Sequence, residues 1–500
     1  MTGSRVHSPT PDAPAQMIRT KIVATMGPAL SEPRVLRSLL AAGTDVCRLN
    51  FSHGRLEDHD KMLRAIREQA EALGKTVAVL GDLGGPKIRL GEVADVDGSG
   101  GMPIRVGEEL LLQREPVVGR AGVVSSTYAG LVDDVQVGHR VLVEDGLLRF
   151  VCVGKEPDRL QLQCTAGGVL KTRKGINLPN SSVKLPSITQ RDWECVEWAI
   201  EQGLDYLALS FVRRADDLRQ LREHLGYRKA TIDLVAKIEK AEALEDIEAI
   251  IDASDALMVA RGDLGVELDL AQVPIIQKEL IRRCQRAGKP VIVATQMLQS
   301  MVELSSPTRA EVSDVANAIF DGTDAVMLSG ETSVGRFPVG AVHTMAHVAE
   351  ATERYLADRP HADPEIDRRL MPMSAAAARA VRRLVEELRC RLVVVYSKTG
   401  DTARLFAKQR FPVPIVALTD DQHTLRQMAL HYGVLPLSMA IPENLPELVE
   451  RADAFVQDRE LARPGHRIIL VAGRALGAPG SMNGILIHTV GTPGENPCDE

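Results

Sequence analysis

The sequence predicts an α/β protein: a (β/α)8 barrel with an inserted all-β lid domain and a C-terminal open-sheet α/β domain. Eight short runs rich in Val, Ile and Leu alternate with amphipathic stretches. That pattern is typical of parallel strands covered on both faces by helices. More than 100 residues separate the third run from the fourth, which is too long for a simple connection. After about residue 356 a second series of apolar runs begins.

The eight apolar runs are the predicted barrel strands. They are Lys21–Gly27, Asp45–Ser52, Thr76–Leu83, Tyr206–Val212, Ile232–Glu239, Ala256–Leu264, Pro290–Leu298 and Ala325–Thr332. The stretches between them predict helices. In one of these, Ser31–Ala42, Ser31 is the predicted N-terminal cap and Gly43 the predicted stop.

The long gap predicts a lid domain at residues 88–184, which leaves 18–87 and 185–356 for the barrel. Within the gap, Arg140–Gly154 alternates apolar and polar residues and contains Asp145-Gly146, a hairpin signal. Loops at this end of a barrel surround the active site, so an insertion there is a candidate lid.

The two ends of the chain carry different patterns. Residues 357–500 contain the runs Arg391–Ser397, Pro414–Thr419, Arg467–Gly473 and Gly484–Val490, which predict an open α/β sheet. Residues 1–17 are rich in Pro, Ser and Thr and have no apolar core, so they predict a disordered tail, not a signal peptide.

Composition excludes several classes of function. The net charge is −7 and only 3% of residues are aromatic, so neither a nucleic acid nor an anionic membrane is an expected partner. No apolar run approaches the roughly 18 residues of a membrane span. The seven cysteines form no C-x-x-C pair, which indicates reduced thiols and a cytoplasmic protein.

Polar residues concentrate at the carboxyl ends of the predicted barrel strands, where barrel enzymes place their chemistry. These residues are Arg48, Asn50, Ser52, His53, Asp82, Lys87, Arg89, Lys237, Glu239, Gly262, Asp263, Thr295, Gln296, Ser329 and Glu331. Lys237 and Glu239 are two apart on one strand, so their side chains share a face. A structural Lys–Glu pair and a catalytic pair both remain open at this point.

Glu239 and Asp263 end adjacent predicted strands and supply two hard oxygen ligands, which suits Mg²⁺ or Mn²⁺. Arg48, Arg89 and Lys237 surround the same opening with positive charge. A divalent metal beside such cations is the apparatus of phosphoryl transfer, which depends on positioning and charge neutralisation. The chain has no Walker-type phosphate loop, so it is not a P-loop enzyme.

The motifs resemble those of pyruvate kinase, in order and at suitable spacing, from about Arg19 to Gly491. They are TKIVATMGPA, RLNFSHG, GDLGGPKIR, KGINLP, LVAKIEK, MVARGDLG, VATQML, PTRAEVSDVANAI and MLSGET. The resemblance implies transfer of phosphate from phosphoenolpyruvate to ADP, giving ATP and pyruvate. It also implies a homotetramer with the C-terminal domain at a subunit interface.

The resemblance assigns roles to individual residues of this sequence. Lys237 matches the lysine that stabilises the transferring phosphoryl group, and Glu239 and Asp263 match the Mg²⁺ ligands. The substrate contacts match Arg48, Lys237, Gly262, Asp263 and Thr295, with Thr295 also near the protonation step. The nucleotide-side contacts match Asn50, Phe51, Ser52, His53, Arg89 and Lys174, the last arriving from the lid.

The sequence departs from the family pattern at the monovalent-cation site. Relatives that bind K⁺ use residues matching Asn50, Ser52, Asp82 and the carbonyl of Leu83, usually with Thr at position 83 and Glu at position 87. Here those positions hold Leu83 and Lys87. Because the Lys87 ammonium can supply the charge of K⁺, we expect an enzyme that does not require K⁺.

A possible effector loop comprises Ser397, Lys398, Thr399, Gly400 and Thr402. Its backbone N–H groups predict a site for a phosphorylated effector, although the negative charge of Asp401 weakens that prediction. Two rival functions remain at this point. One is a metal-enolate barrel enzyme such as an aldolase or lyase, and the other is a scaffold without activity.

Overall fold

A computed structural model describes residues 17–95, 98–357, 366–367, 372–473 and 482–492. Most of the tail predicted at residues 1–17 lies outside these ranges. No helix in the described ranges is long and apolar enough to cross a membrane.

The strands follow the order of the predicted runs. In chain order they are β1 (Lys21–Thr25), β2 (Val46–Asn50), β3 (Ala78–Asp82), β4 (Met102–Ile104), β5 (Glu109–Gln113), β6 (Val123–Ser125), β7 (Arg140–Val143), β8 (Leu148–Glu156), β9 (Arg159–Ala166), β10 (Gly168–Leu170), β11 (Ile176–Asn177), β12 (Tyr206–Leu209), β13 (Asp233–Ile238), β14 (Ala256–Ala260), β15 (Val291–Ala294), β16 (Ala325–Leu328), β17 (Leu392–Tyr396), β18 (Ile415–Thr419), β19 (Val434–Ser438), β20 (Arg467–Gly473) and β21 (Met482–Thr489).

The α-helices cover the barrel and the C-terminal sheet. They are α1 (Pro33–Ala41), α2 (Leu56–Ala72), α3 (Leu131–Asp134), α4 (Gln190–Gln202), α5 (Ala215–Tyr227), α6 (Ile247–Ala253), α7 (Arg261–Glu267), α8 (Val273–Arg286), α9 (Arg309–Phe320), α10 (Gly330–Ser333), α11 (Pro338–Ala357), α12 (Pro372–Glu387), α13 (Asp401–Ala407), α14 (Gln422–Gln427) and α15 (Leu445–Asp458).

Eight parallel strands close the barrel in the order β1-β16-β15-β14-β13-β12-β3-β2. This confirms the predicted fold class. The interior is filled by alternate residues of every strand, such as Val46, Tyr206 and Met258, whereas the intervening residues pack under the helices. The barrel is therefore solid below its mouth, and chemistry is confined to the carboxyl ends of the strands.

Some details of the barrel differ from the prediction. The run Ala256–Leu264 stays extended only to Ala260, and α7 begins at Arg261, so Asp263 lies in the first turn of a helix. The run Ala325–Thr332 likewise ends as a strand at Leu328, and α10 begins at Gly330. Ser31 does not cap α1, because Glu32 precedes Pro33 at the first helical position. Proline fixes φ for a helix start and needs no hydrogen-bond partner for its nitrogen, which sets this boundary.

The inserted domain is a six-stranded sheet, β11-β7-β8-β9-β5-β6, with the small pair β10-β4 beside it. Strands β7 and β8 form the hairpin predicted around Asp145-Gly146. Glu144, Asp145 and Gly146 all have positive φ, which Asp and Gly tolerate well at a tight turn. The boundaries proposed at residues 88, 184 and 356 stay predictions.

The C-terminal sheet has the order β19-β18-β17-β20-β21, with β21 antiparallel. Four of its five strands match predicted runs, and β19 was missed. It contains Pro436, which is tolerated because β19 lies at the edge of the sheet, where the missing N–H has no partner to lose.

Candidate active site

Lys237 and Glu239 point into the mouth of the barrel from β13 and the residue after it, as the two-residue period predicts. Lys237 Nζ lies 2.9 Å from Glu239 Oε1 and 3.1 Å from Asp82 Oδ1. Burial opposes the charged ammonium, but the carboxylates of Asp82 and Glu239 outweigh it and raise the pKa of Lys237. The site thus holds a permanently charged ammonium with little exposure to water.

Arg48 stands on the other side of Asp82 and completes a row of alternating charges. Its Nε donates to Asp82 Oδ2 at 2.6 Å, and its Nη1 donates to Thr25 Oγ1 at 2.9 Å. Although burial favours the neutral acid, Lys237 and Arg48 lower the pKa of Asp82. Asp82 therefore remains ionised and holds both cations at the edge of the mouth.

Ser210 and Phe211, which follow β12, complete this network and were missed by the sequence analysis. Ser210 Oγ accepts from Lys237 Nζ at 2.6 Å and donates to the Leu83 carbonyl at 2.7 Å. The backbone N–H of Phe211 donates to Glu239 Oε2 at 2.8 Å. The rule that singled out other strand ends applies equally to Ser210, so the signal was present in the sequence.

Asp263 faces Glu239 across the mouth from the first turn of α7. Burial and then the charge of Glu239 raise the pKa of Asp263 to about 6, against the opposing effect of Lys237 and Lys87. Two carboxylates that repel each other in this way are stabilised by a shared cation. The donor set therefore fits a divalent metal held by two carboxylates, with other positions left to water or substrate.

Strained backbone surrounds the same opening. Thr295 and Gln296, just after β15, have φ of 68° and 56°, and Phe211 has φ of 54°. For a β-branched residue such as Thr295 this conformation is an outlier, and such strain concentrates at functional sites. Thr295 Oγ1 accepts the Gly262 N–H at 2.7 Å, which fixes the start of α7 against the end of β15.

A cleft joins these groups at the mouth. The predicted residues that line it are Arg48, Asn50, Ser52, Lys87, Lys237, Glu239, Asp263, Thr295 and Ser329. A larger space of about 990 Å³ continues from Lys87 and Asp263 to Asp145 and Arg149 of the inserted domain. This domain therefore overhangs the site, as expected of a lid.

The residues predicted to contact the nucleotide lie less close together than those around Lys237. The ring of Phe51 packs edge-on against His59 and Trp198 in the core, so only its backbone can face a nucleotide. Desolvation and the charges of Lys87 and Arg89 lower the pKa of His53, so His53 is neutral beside these cations. Arg89 is not one of the described residues that line the cleft.

Lys174 does not reach the mouth in this conformation. Its Nζ lies 2.6 Å from Glu144 Oε1, and both residues belong to the inserted domain.

At the position of the predicted monovalent-cation site, Leu83 is buried and its carbonyl oxygen accepts a hydrogen bond from Ser210. The exposed Lys87 lies at the edge of the cleft.

The predicted effector loop leads into α13. Lys398 Nζ is bound by both oxygens of Asp420 at 3.0 Å, and Asp401 pairs with Arg404 at 2.7 Å. Two cations near the loop are therefore already neutralised by acidic residues.

A closed (β/α)8 barrel with a buried ammonium, an arginine and two carboxylates suited to a divalent metal at its mouth fits the class of metal-assisted phosphotransferases. The chain matches the family models "Pyruvate kinase, barrel domain" over residues 17–342 and "Pyruvate kinase, alpha/beta domain" over residues 375–488. It belongs to the pyruvate kinase family.

Known relatives agree with this assignment. The pyruvate kinase of Bacillus licheniformis is 41% identical over 478 residues, which is 95% of this chain and 81% of the relative. That of Geobacillus stearothermophilus is 42% identical over 476 residues, 94% of this chain and 80% of the relative. A crystal structure of a pyruvate kinase from Cryptosporidium parvum superposes with a TM-score of 0.84 at 33% identity, covering 94% of this chain and 96% of that one.

The protein is thus a glycolytic phosphotransferase that transfers the phosphoryl group of phosphoenolpyruvate to ADP, giving ATP and pyruvate. Members of this family generally require a divalent metal such as Mg²⁺. The alternatives of an aldolase or lyase and of an inactive scaffold are not supported.

Proposed function

We propose that Lys237, Arg48 and Thr295 are the catalytic residues of this reaction. The observation that carries the proposal is the Lys237 ammonium, buried between Asp82 and Glu239 and open to the cleft. Such a charge is fixed before the reaction begins, so it stabilises developing negative charge without reorganisation. Arg48, held by Asp82, orients the substrate through its remaining guanidinium N–H groups.

Glu239 and Asp263 would hold the divalent metal, Mg²⁺ or Mn²⁺. When bound, the metal supplies charge neutralisation on the phosphate and carboxylate oxygens of the substrate. The chain's own contribution is to fix the position of Glu239, through Lys237 and the Phe211 N–H, and to aim Asp263 from α7. The Gly262 and Asp263 backbone then forms part of the substrate site.

Thr295 would act at the protonation step that yields pyruvate. Its hydroxyl is fixed by the Gly262 N–H and donates to the Ala294 carbonyl at 2.6 Å, so its position is set independently of substrate. A water ordered on this hydroxyl is the proposed proton donor.

The nucleotide would bind on the side of Asn50, Ser52, His53 and Arg89, with backbone contacts at Phe51. Lys174 would join it when the inserted domain closes, which requires exchange of its Glu144 partner for nucleotide phosphate. Closure would also exclude water from the transfer.

We further propose that the enzyme does not require K⁺. The Lys87 ammonium lies at the edge of the cleft, and Leu83 offers no hydroxyl beside its occupied carbonyl. The Lys87→Glu variant should gain a K⁺ requirement, because it replaces the fixed positive charge with a cation ligand. A matched variant, Lys61→Glu, makes the same charge change on α2 and should not gain one.

The remaining proposals concern assembly and regulation. A homotetramer is supported by Ile485 and Ile487, which are exposed on the edge strand β21, and light scattering tests it.

Binding of a phosphorylated effector at residues 397–402 stays a prediction, and the Lys398–Asp420 ion pair weakens it. Sugar phosphates and AMP should be tested for a shift in half-saturation by phosphoenolpyruvate. A cytoplasmic location accords with the glycolytic reaction.

The deciding experiment measures pyruvate formation from phosphoenolpyruvate with Mg²⁺, with and without ADP, in K⁺-free buffer containing tetramethylammonium. Full activity that needs ADP but not K⁺ is expected. A strong, saturable K⁺ requirement in the wild type would refute the proposed role of Lys87 without affecting the other assignments.

A further inference from the structure

A polar cavity of about 240 Å³ lies at the opposite end of the barrel from the active site. Its barrel wall is formed at the amino ends of β12, β13 and β14 by Tyr206, Asp233 and Asp255. Its other wall belongs to the C-terminal domain and includes Asp401 and His431. The cavity therefore lies between two domains and has no part in the site described above.

Three carboxylates face this cavity, and they are not equally compensated. Asp255 Oδ2 accepts from Arg222 at 2.6 Å and from the Leu234 N–H at 2.7 Å. Asp401 pairs with Arg404 at 2.7 Å. The carboxylate of Asp233 has no hydrogen bond or ion pair among the residues that the structure describes.

The environment of Asp233 reflects this missing partner. Burial and then the charge of Asp255 raise the pKa of Asp233 to about 7, and the charges of Arg222 and of Arg404, which lines the same cavity, do not offset them. Asp233 is half-buried. A partly desolvated carboxylate without a partner is costly, so this position favours any cation that can enter.

His431 supplies a second, independent group without a partner. The residue is only 6% exposed and lines the cavity, and neither ring nitrogen has a hydrogen-bond partner within the described ranges; Nδ1 is fully enclosed by protein, whereas Nε2 is not. Burial and then the charges of Arg404, Lys408 and Lys21 lower the pKa of His431 well below its usual value. The neutral ring therefore has one acceptor nitrogen, and with the proton on the enclosed Nδ1 the lone pair of Nε2 is the one offered to the cavity.

The chemistry of the walls selects the class of ligand. An anion would meet three carboxylates and a single arginine, Arg404, which Asp401 already neutralises. A metal ion would need several close ligands, and the described residues contain no group of three or more His, Cys, Asp or Glu side chains placed to hold one. An ammonium group carries positive charge and up to three N–H donors, which match the Asp233 carboxylate and the free nitrogen of His431.

We propose that this cavity binds a small molecule through a primary ammonium group, held by Asp233 and His431 between the barrel and the C-terminal domain. Thr399, Gly400 and Asp401 of the predicted effector loop line the same cavity. Occupancy therefore fixes that loop against the barrel floor and stabilises the contact between the two domains. The inference does not depend on the residues assigned to catalysis.

Calorimetric titration of the full-length protein with ethylammonium and putrescine tests the proposal, with thermal unfolding as a second readout. Ethylammonium should bind at one site per chain and raise the unfolding temperature, and tetramethylammonium, which has no N–H, should do neither. Tighter binding of putrescine would identify a diamine as the better ligand, and equal binding would identify a monoamine; both support the site.

Variants locate the site. Asp233→Asn should weaken ethylammonium binding by roughly 10-fold to 100-fold, the usual effect of losing a charged hydrogen bond, and His431→Phe should also weaken it. Asp216→Asn, an exposed aspartate on α5, is the matched control and should bind normally. Asp233→Asn removes an uncompensated charge, so it should fold at least as well as the wild type. Absence of binding at 100 mM, equal binding of tetramethylammonium, or unchanged binding by Asp233→Asn would overturn the proposal.

Discussion

Replacing Lys237 with Met removes the buried ammonium while keeping a side chain of similar length. In the structure this charge lies about 3 Å from two carboxylates. A unit charge at about 3 Å interacts by about 5.5 kcal/mol at an effective dielectric of about 20. A phosphoryl oxygen at the same distance would lose stabilisation of that order. At about 1.4 kcal/mol per tenfold in rate, we expect kcat to fall roughly 10³-fold to 10⁵-fold.

The same substitution also disturbs the fold, so the assay must separate the two effects. Asp82 keeps Arg48 and Glu239 keeps the Phe211 N–H, so part of the network survives. Lys408→Met is a control, because Lys408 is also buried and pairs with Asp324 at 2.5 Å, outside the cleft. Steady-state kinetics should be normalised to the folded fraction measured by circular dichroism. If Lys237→Met retained more than a tenth of wild-type kcat, or lost only as much as Lys408→Met, the assignment of Lys237 would be wrong.

Three further predictions follow from the geometry. Because the pKa of Asp263 is raised to about 6, Mn²⁺ competes with a proton for this carboxylate. The affinity of the protein for Mn²⁺ should therefore be constant above pH 7 and fall about tenfold by pH 5. A Mn²⁺ affinity that stays constant down to pH 5 would contradict this. Thr295→Val should slow the exchange of the pyruvate methyl protons with solvent by roughly 10²-fold, and Thr295→Ser should restore the exchange rate. Equal exchange rates in the two variants would show that Thr295 has no role in the protonation step. Lys174→Met should raise KM for ADP by roughly tenfold or more and leave KM for phosphoenolpyruvate unchanged, whereas the exposed Lys171→Met should alter neither.

The sequence predicted most of the barrel because each strand is a short apolar run with its own periodicity. It also predicted that Lys237 and Glu239 would share a face, since that depends only on the two-residue repeat of a strand. The residues that line the mouth, from Arg48 to Thr295, could be picked out because barrel enzymes place polar site residues at the carboxyl ends of their strands.

Other features depend on contacts between distant parts of the chain. The positive φ of Thr295 opposes the local preference of a β-branched residue, and nothing in the sequence indicates that Gly262 occupies its hydroxyl. The pairing of Lys398 with Asp420 likewise becomes visible only when β17 and β18 lie side by side. Asp233 and His431 are almost 200 positions apart, and only the packing of two domains brings them to one cavity.

The proposed metal site requires that Glu239, which follows β13, and Asp263, on α7, share one cation beside Lys237. Titration of Mn²⁺ by electron paramagnetic resonance at pH 7.5 measures this directly in the wild type, Glu239→Gln and Asp263→Asn. We predict one Mn²⁺ per chain, with affinity weakened on the order of 100-fold by either substitution. Unchanged stoichiometry and affinity in either variant would contradict the proposed metal site.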